Sequence, residues 1–125
     1  MSANDERPVF AIGHMHMNVV DVGEAYAFFA KYGMRGILER PAFAILELRG
    51  GTHLILSEAE TSVEPGQRAP FDLMVDDVDA VHARFVEDGV AATEIERGNI
   101  HDSFSVTGPS GYTIPFNSSH VAGVV

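Results

Sequence analysis

The stretch Gly13–Val22, GHMHMNVVDV, carries two histidines one residue apart in an otherwise apolar run. Imidazole changes charge near neutral pH, can present a proton on either nitrogen, and is the commonest metal ligand among side chains. His14 and His16 are therefore candidates for hydrogen bonding to a ligand, for acid–base work, or for holding a divalent ion. Side chains on a strand alternate between its two faces. His14, His16 and Asn18 then share one face, and Met15, Met17 and Val19 the other. The apolar face suits burial against a helix; the polar face suits water, a ligand or a metal. Further on, His53 and Asp72 add an imidazole and a carboxylate, a pairing used both for metal ligation and for proton transfer.

A repeat defines the elements that must position these groups. VVDVGEAYAFFAKYGM (Val19–Met34) aligns with VDDVDAVHARFVEDGV (Val75–Val90) at a shift of 56 residues. Asp21 then meets Asp77, Val22 meets Val78, Phe29 meets Phe85 and Gly33 meets Gly89. In each copy an aspartate stands at the N-cap position, and Asp21 with Glu24 makes a capping-box pattern. Val22, Ala25 and Phe29, like Val78, Val81 and Phe85, recur at helical spacing and give each helix one apolar stripe. Gly33 and Gly89 fall where a helix ends in a left-handed residue. The pattern predicts helices over 22–32 and 78–88.

After the first helix come GILER, FAILELR and THLILSE, punctuated by Pro41 and the Gly50–Gly51 pair. After the second come ATEIER, SFSVT and YTIPFNS, with GPSG as the last turn. These read as strands separated by turns. The closing strands need four further residues of shift, which sets Gly51 against Gly111 and Ile55 against Pro115. EAETSVEPGQRA, polar and broken by Pro65 and Gly66, is a linker. The fold class is α+β: two tandem βαβββ units in one domain over 1–125. Unit one spans about 9–58, the linker 59–69 and unit two about 70–118.

Composition narrows the function classes. A chain of 125 residues, 46% apolar, is long enough for one domain with a real core. It has no cysteine, which excludes a disulfide framework or thiolate metal site and suits a reducing cytoplasm. The opening MSANDERPVF lacks the basic and apolar regions of a signal peptide. No apolar run approaches the ~18 residues of a membrane helix. Eight Lys and Arg against eighteen Asp and Glu leave a charge of −10. The few basic residues are scattered, so neither nucleic acid nor membrane is an expected partner. An acidic field keeps a protein soluble and concentrates cations, including cationic small molecules.

Two such units, with H-x-x-x-x-V-x-D (His14–Asp21) opening the first, VDDVDA (Val75–Ala80) opening the second and GPSGY (Gly108–Tyr112) before the last strand, resemble the vicinal oxygen chelate superfamily. Glyoxalase I, extradiol dioxygenases, methylmalonyl-CoA epimerase, fosfomycin-resistance enzymes and bleomycin-resistance proteins belong to it. The resemblance runs from Phe10 to about Asn117. It implies sheets curled round a shared cavity with the helices outside. It also implies a homodimer, to which the apolar tail VAGVV adds a little. With the strand alternation, the expected cavity residues are His14, His16, His53, Ile55 and Ser57 from unit one. From unit two they are Asp72, Met74, Ser103, Ser105, Thr113, Pro115 and Asn117.

Metal-using members take one ligand from each of four strands. Carried over by resemblance, those positions are His14, Ile55, Pro70 and Pro115, of which only His14 can coordinate. A catalytic zinc needs about three protein ligands, so no metal cofactor is expected there. A displaced site using His14, His16, His53 and Asp72 stays open as the alternative. His82 is expected on the exposed side of the second helix, His101 in a surface loop, and His120 in an exposed or partner-packed tail.

Two functional readings follow. The favoured one is a metal-independent, sequestering small-molecule binder similar to bleomycin-resistance proteins. Its ligand would carry a cationic or hydrogen-bond-donating group held between His16, His53 and Asp72. Ser105 and Asn117 would add polar contacts, and Met74 and Ile55 an apolar wall. The alternative is an enzyme of the glyoxalase, lyase or dioxygenase type, working through a displaced divalent metal or His/Asp acid–base catalysis.

Overall fold

The computed structural model describes residues 6–119. Unit one consists of β1 (His14–Val19), α1 (Val22–Lys31), β2 (Arg35–Glu39), β3 (Phe43–Glu47) and β4 (His53–Glu58). Unit two consists of β5 (Leu73–Val75), α2 (Val78–Glu87), β6 (Glu96–Arg97), β7 (Asp102–Thr107) and β8 (Thr113–Ser118). Each unit makes its own four-stranded sheet, in the orders β1-β4-β3-β2 and β5-β8-β7-β6. β1 pairs with β4 in parallel, as β5 does with β8, and the remaining pairs are antiparallel. A parallel pair needs a crossover between its strands, and α1 and α2 lie in those crossovers.

The helix ends follow from the capping chemistry. The Asp21 carboxylate accepts from the Glu24 amide at 3.0 Å, and Asp77 accepts from Ala80 at 3.0 Å. Each satisfies an amide that the helix leaves unpaired. Gly33 and Gly89 follow the helices at φ +129° and +78°, conformations a side chain resists. Met17 and Val19 of β1 are buried while His14, His16 and Asn18 are exposed, so β1 turns its faces as the alternation predicts.

One core runs through both units. Leu46, Leu54 and Leu56 of sheet one and Phe29 of α1 join Phe85, Phe104, Ile114 and Phe116 of unit two in it. Phe85, fully buried, has its ring 4.3 Å from Tyr32, the C-cap of α1, and 5.3 Å from Phe116 on β8. The turns reinforce the joint: Arg49 pairs with Asp76 at 3.0 Å, and the Tyr112 hydroxyl donates to the Asn18 carbonyl at 2.6 Å. Burial pushes the Tyr112 hydroxyl's pKa up.

Two expectations need correction. ATEIER forms only the two-residue β6 and an isolated bridge from Ala92 to Val106, beside which the Thr93 amide donates to the Ser105 carbonyl and the Thr93 hydroxyl accepts from the Ser105 amide, both at 2.9 Å. His82 is half-buried rather than exposed, its ring edge-on to Phe104 and its Nε2 2.8 Å from the Thr93 carbonyl. His101 is half-buried and borders a shallow depression of about 310 Å³ beside β6. His120 and the VAGVV tail lie outside the described residues. Among those residues no helix is long and apolar enough to cross a membrane.

Candidate functional site

The helix-free face of sheet one gathers the unit-one candidates. Parallel pairing sets His14 opposite His53 and His16 opposite Ile55. The His14 ring lies 6.0 Å from His53 and 6.5 Å from His16, tilted by 30° and 34°. Ile55 faces Ile45 on β3, and Ser57 faces Phe43, which is 41% exposed. The face is thus polar at the His14 end and apolar toward β3.

Register carries the row of polar groups across the whole sheet. His53 is paired with Glu47, and Glu47 with Arg35. The Arg35 guanidinium donates to Glu47 Oε2 at 2.8 Å, and His53 Nε2 stands 3.5 Å from Oε1 of the same carboxylate. A single rung therefore reads His14, His53, Glu47, Arg35, one residue from each strand. Glu47 and Arg35 escaped the sequence reading. The signal for Glu47 was present: FAILELR alternates, and a hairpin about Arg49–Gly51 must bring Glu47 opposite His53.

The unit-two candidates form a separate group. Met74 pairs with Asn117, and Asn117 with Ser103. Ser105 pairs with Pro115, which is buried, not open to a ligand. Asp72 precedes β5 and is exposed. No hydrogen bond or ion pair joins Asp72 to His16 or His53 among the described residues; the carboxylate beside His53 is Glu47 instead. Asp72 immediately precedes β5 of sheet two, whereas His53 opens β4 of sheet one.

The two units are alike in fold and unlike in chemistry. At the repeat's shifts, His14, His53, Glu47 and Arg35 correspond to Pro70, Thr113, Thr107 and Ala91. Three of these are also neighbours: Thr107 pairs with Thr113, and the Thr107 amide donates to the Ala91 carbonyl at 2.9 Å. Among the described residues the ionisable rung occurs once, in sheet one.

A metal centre of the family's kind does not fit these residues. Ile55, Pro70 and Pro115 offer no donor at three of the four positions. Among the described residues no group of three or more His, Asp or Glu side chains is arranged to hold an ion.

Solved structures with this fold are numerous. TnmS3, an antibiotic-binding protein from a Streptomyces species, superposes with a TM-score of 0.74 at 24% identity, over 90% of this chain and 98% of its own. A lactoylglutathione lyase from Agrobacterium tumefaciens gives 0.75 at 20% identity, over 94% and 100%. A glyoxalase/bleomycin-resistance protein from a Streptomyces species gives 0.71 at 25% identity, over 86% and 99%. No family model matches the sequence, and no curated protein does. The fold is that of the glyoxalase and bleomycin-resistance proteins. This agrees with the fold that the sequence's resemblance to the vicinal oxygen chelate superfamily implied.

Proposed function

We propose that the protein binds a small organic molecule on the histidine face of sheet one, without a metal at the superfamily's usual position. The observation that carries this reading is the rung His14–His53–Glu47–Arg35, ordered by register and open to solvent at its histidine end. Glu47 draws the His53 proton toward Nε2, which leaves Nδ1 as an acceptor for a ligand donor. Ile55, Ile45 and Phe43 supply an apolar floor beside it, the usual composition of a small-molecule site. The likeness to an antibiotic-binding protein supports a binding role.

Both helix-free faces are open in one chain, so a second copy completes the site in this reading. A homodimer would set the unit-two group (Asp72, Met74, Ser105, Asn117) over the histidines of its partner. The ligand's cationic or donor group would then lie between Asp72 on one side and His16 and His53 on the other. The absence of cysteine supports a reducing, cytoplasmic setting.

The His53–Glu47 contact also favours a second reading, acid–base catalysis. Here glutamate takes the place first assigned to aspartate. One experiment separates the readings: a thermal-shift screen of amines, aminoglycosides, glycopeptides and small acids on untagged protein, with metal content measured alongside. Binding is supported by a hit recovered unchanged from a metal-free sample and weakened by Asp72→Asn. A hit converted to product supports catalysis. Near one equivalent of zinc, nickel, manganese or iron, lost in His14→Ala, overturns the metal-independent reading.

A further inference from the structure

At the Glu47–Arg35 end of the rung a depression of about 670 Å³ opens between the end of α1 and the β3–β4 turn. Its size is that of a small-molecule site. Ala30, Met34 and Leu48 give it an apolar side, and Gly33, Gly50 and Gly51 a floor without side chains. A Cβ added at any of these three glycines would meet no atom within 4 Å, so the space above them is open. The charged groups of the lining are Arg35, Arg49 and Glu47. Two arginines against one glutamate reverse the balance of a chain with eight Lys and Arg and eighteen Asp and Glu.

Both arginines keep donors to spare, since a guanidinium carries five N–H groups. Arg35 gives Nη1 to Glu47 at 2.8 Å, and Arg49 gives Nη1 and Nη2 to Asp76 at 3.2 and 3.0 Å. The two side chains remain 78% and 61% exposed. Carbonyls at a helix end repel an anion, but here they are engaged. Those of Phe28 and Phe29 accept from the Tyr32 and Met34 amides, and that of Lys31 from the Arg84 guanidinium.

From this we infer that the depression takes a small organic acid, its carboxylate on Arg35 and Arg49 and its apolar body against Met34 and Leu48, and that this occupant acts on the histidine face through Arg35. A planar carboxylate suits the forked donors of arginine. Once on Arg35, it competes with Glu47 for the same guanidinium. Glu47 Oε1 stands 3.5 Å from His53 Nε2, so a Glu47 that Arg35 holds less tightly closes on the imidazole. An acid in the depression then changes the affinity of the histidine face, and the reverse holds by the same factor. The two sites take opposite chemistries, an anion here and a cationic or donor group there, so one does not stand in for the other.

The test is an NMR titration of the labelled parent at fixed pH with sodium benzoate, with benzamide as the uncharged control and inorganic phosphate as the control without an apolar body. Benzoate should move the amide signals of Gly33, Gly50 and Gly51 and, with the same midpoint, the ring nitrogens of His53. Benzamide and phosphate should move them far less. Arg49→Ala should raise both midpoints about tenfold together; Arg49→Lys, which keeps the charge facing Asp76 and loses the fork, replaces it if it folds poorly. Glycine amides that do not respond overturn the site, and phosphate or benzamide matching benzoate overturns the assignment to an organic acid. Glycine amides that respond while His53 stays still overturn the coupling. A His53 response undiminished in the Arg49 variants shows benzoate acting on the histidine face directly and overturns the inference. None of these outcomes requires a ligand on the histidine face, so that reading stands or falls separately.

Discussion

His53 and Glu47 face one another across the β3–β4 hairpin, Nε2 to Oε1 at 3.5 Å, while Arg35 holds the other oxygen of Glu47 at 2.8 Å. The carboxylate is thereby fixed in place and biases which nitrogen of His53 carries its proton. Nitrogen-15 shifts of the His53 ring should report mainly the Nε2–H tautomer, and Glu47→Gln should move them toward an even mixture. Shifts unchanged in the variant would show that Glu47 does not orient the ring.

The two helices meet at a pair of equivalent positions. Tyr32 and Asp88 are related by the repeat's shift of 56 residues, and the Tyr32 hydroxyl donates to the Asp88 carboxylate at 2.8 Å. That bond, with the Lys31 charge nearby, holds the Asp88 carboxyl below the usual carboxylate range. A depressed carboxyl contributes stability that is present above the ordinary carboxylate pKa and lost as the pH falls through the lowered value. Tyr32→Phe should bring the Asp88 titration, followed by carbon-13 NMR, back toward about 3.9. Retention of the depressed value would place its cause elsewhere.

The N-caps offer a stability test that also probes the repeat. Asp21→Ala and Asp77→Ala each remove the acceptor for one helix amide, a loss of about 1 kcal/mol. The sites sit in different units, so urea denaturation should give nearly additive effects. An effect below about 0.3 kcal/mol at either site would mean that water replaces the cap.

Phe85 is the keystone of the joint between units. It touches Tyr32 and Phe28 on one side and Phe104 and Phe116 on the other, and it is fully buried. Phe85→Ala should destabilise the protein by about 3–5 kcal/mol, a large share of the 5–15 kcal/mol typical of a domain. Loss below about 1 kcal/mol in urea denaturation would show that the units hold together by other means.

The helices, their caps and the faces of β1 were legible in the sequence because they rest on local signals. Asp21, Asp77, Gly33 and Gly89 act within a few residues of themselves. The rung across sheet one was only half legible. His14 and His53 are conspicuous, but Glu47 is one of many acidic residues, and only the register of the hairpin singles it out. What the units do to each other was not legible. Whether aromatic rings on two amphipathic helices turn toward solvent or toward one another is a matter of tertiary packing, and the contact of Tyr32 with Phe85 decides it.

The central claim is a single small-molecule site per chain on the histidine face of sheet one. Calorimetric titration of the best hit from the ligand screen into the parent and into His53→Ala tests it most directly. Losing one hydrogen bond to a charged or strongly polar ligand group costs about 1.5–3 kcal/mol, roughly ten- to hundredfold in affinity. The predicted result is one ligand per chain and a ten- to hundredfold weaker binding to His53→Ala, with Thr113→Ala, its counterpart in unit two, close to the parent. Equal affinity for parent and His53→Ala, or two ligands per chain, would contradict it.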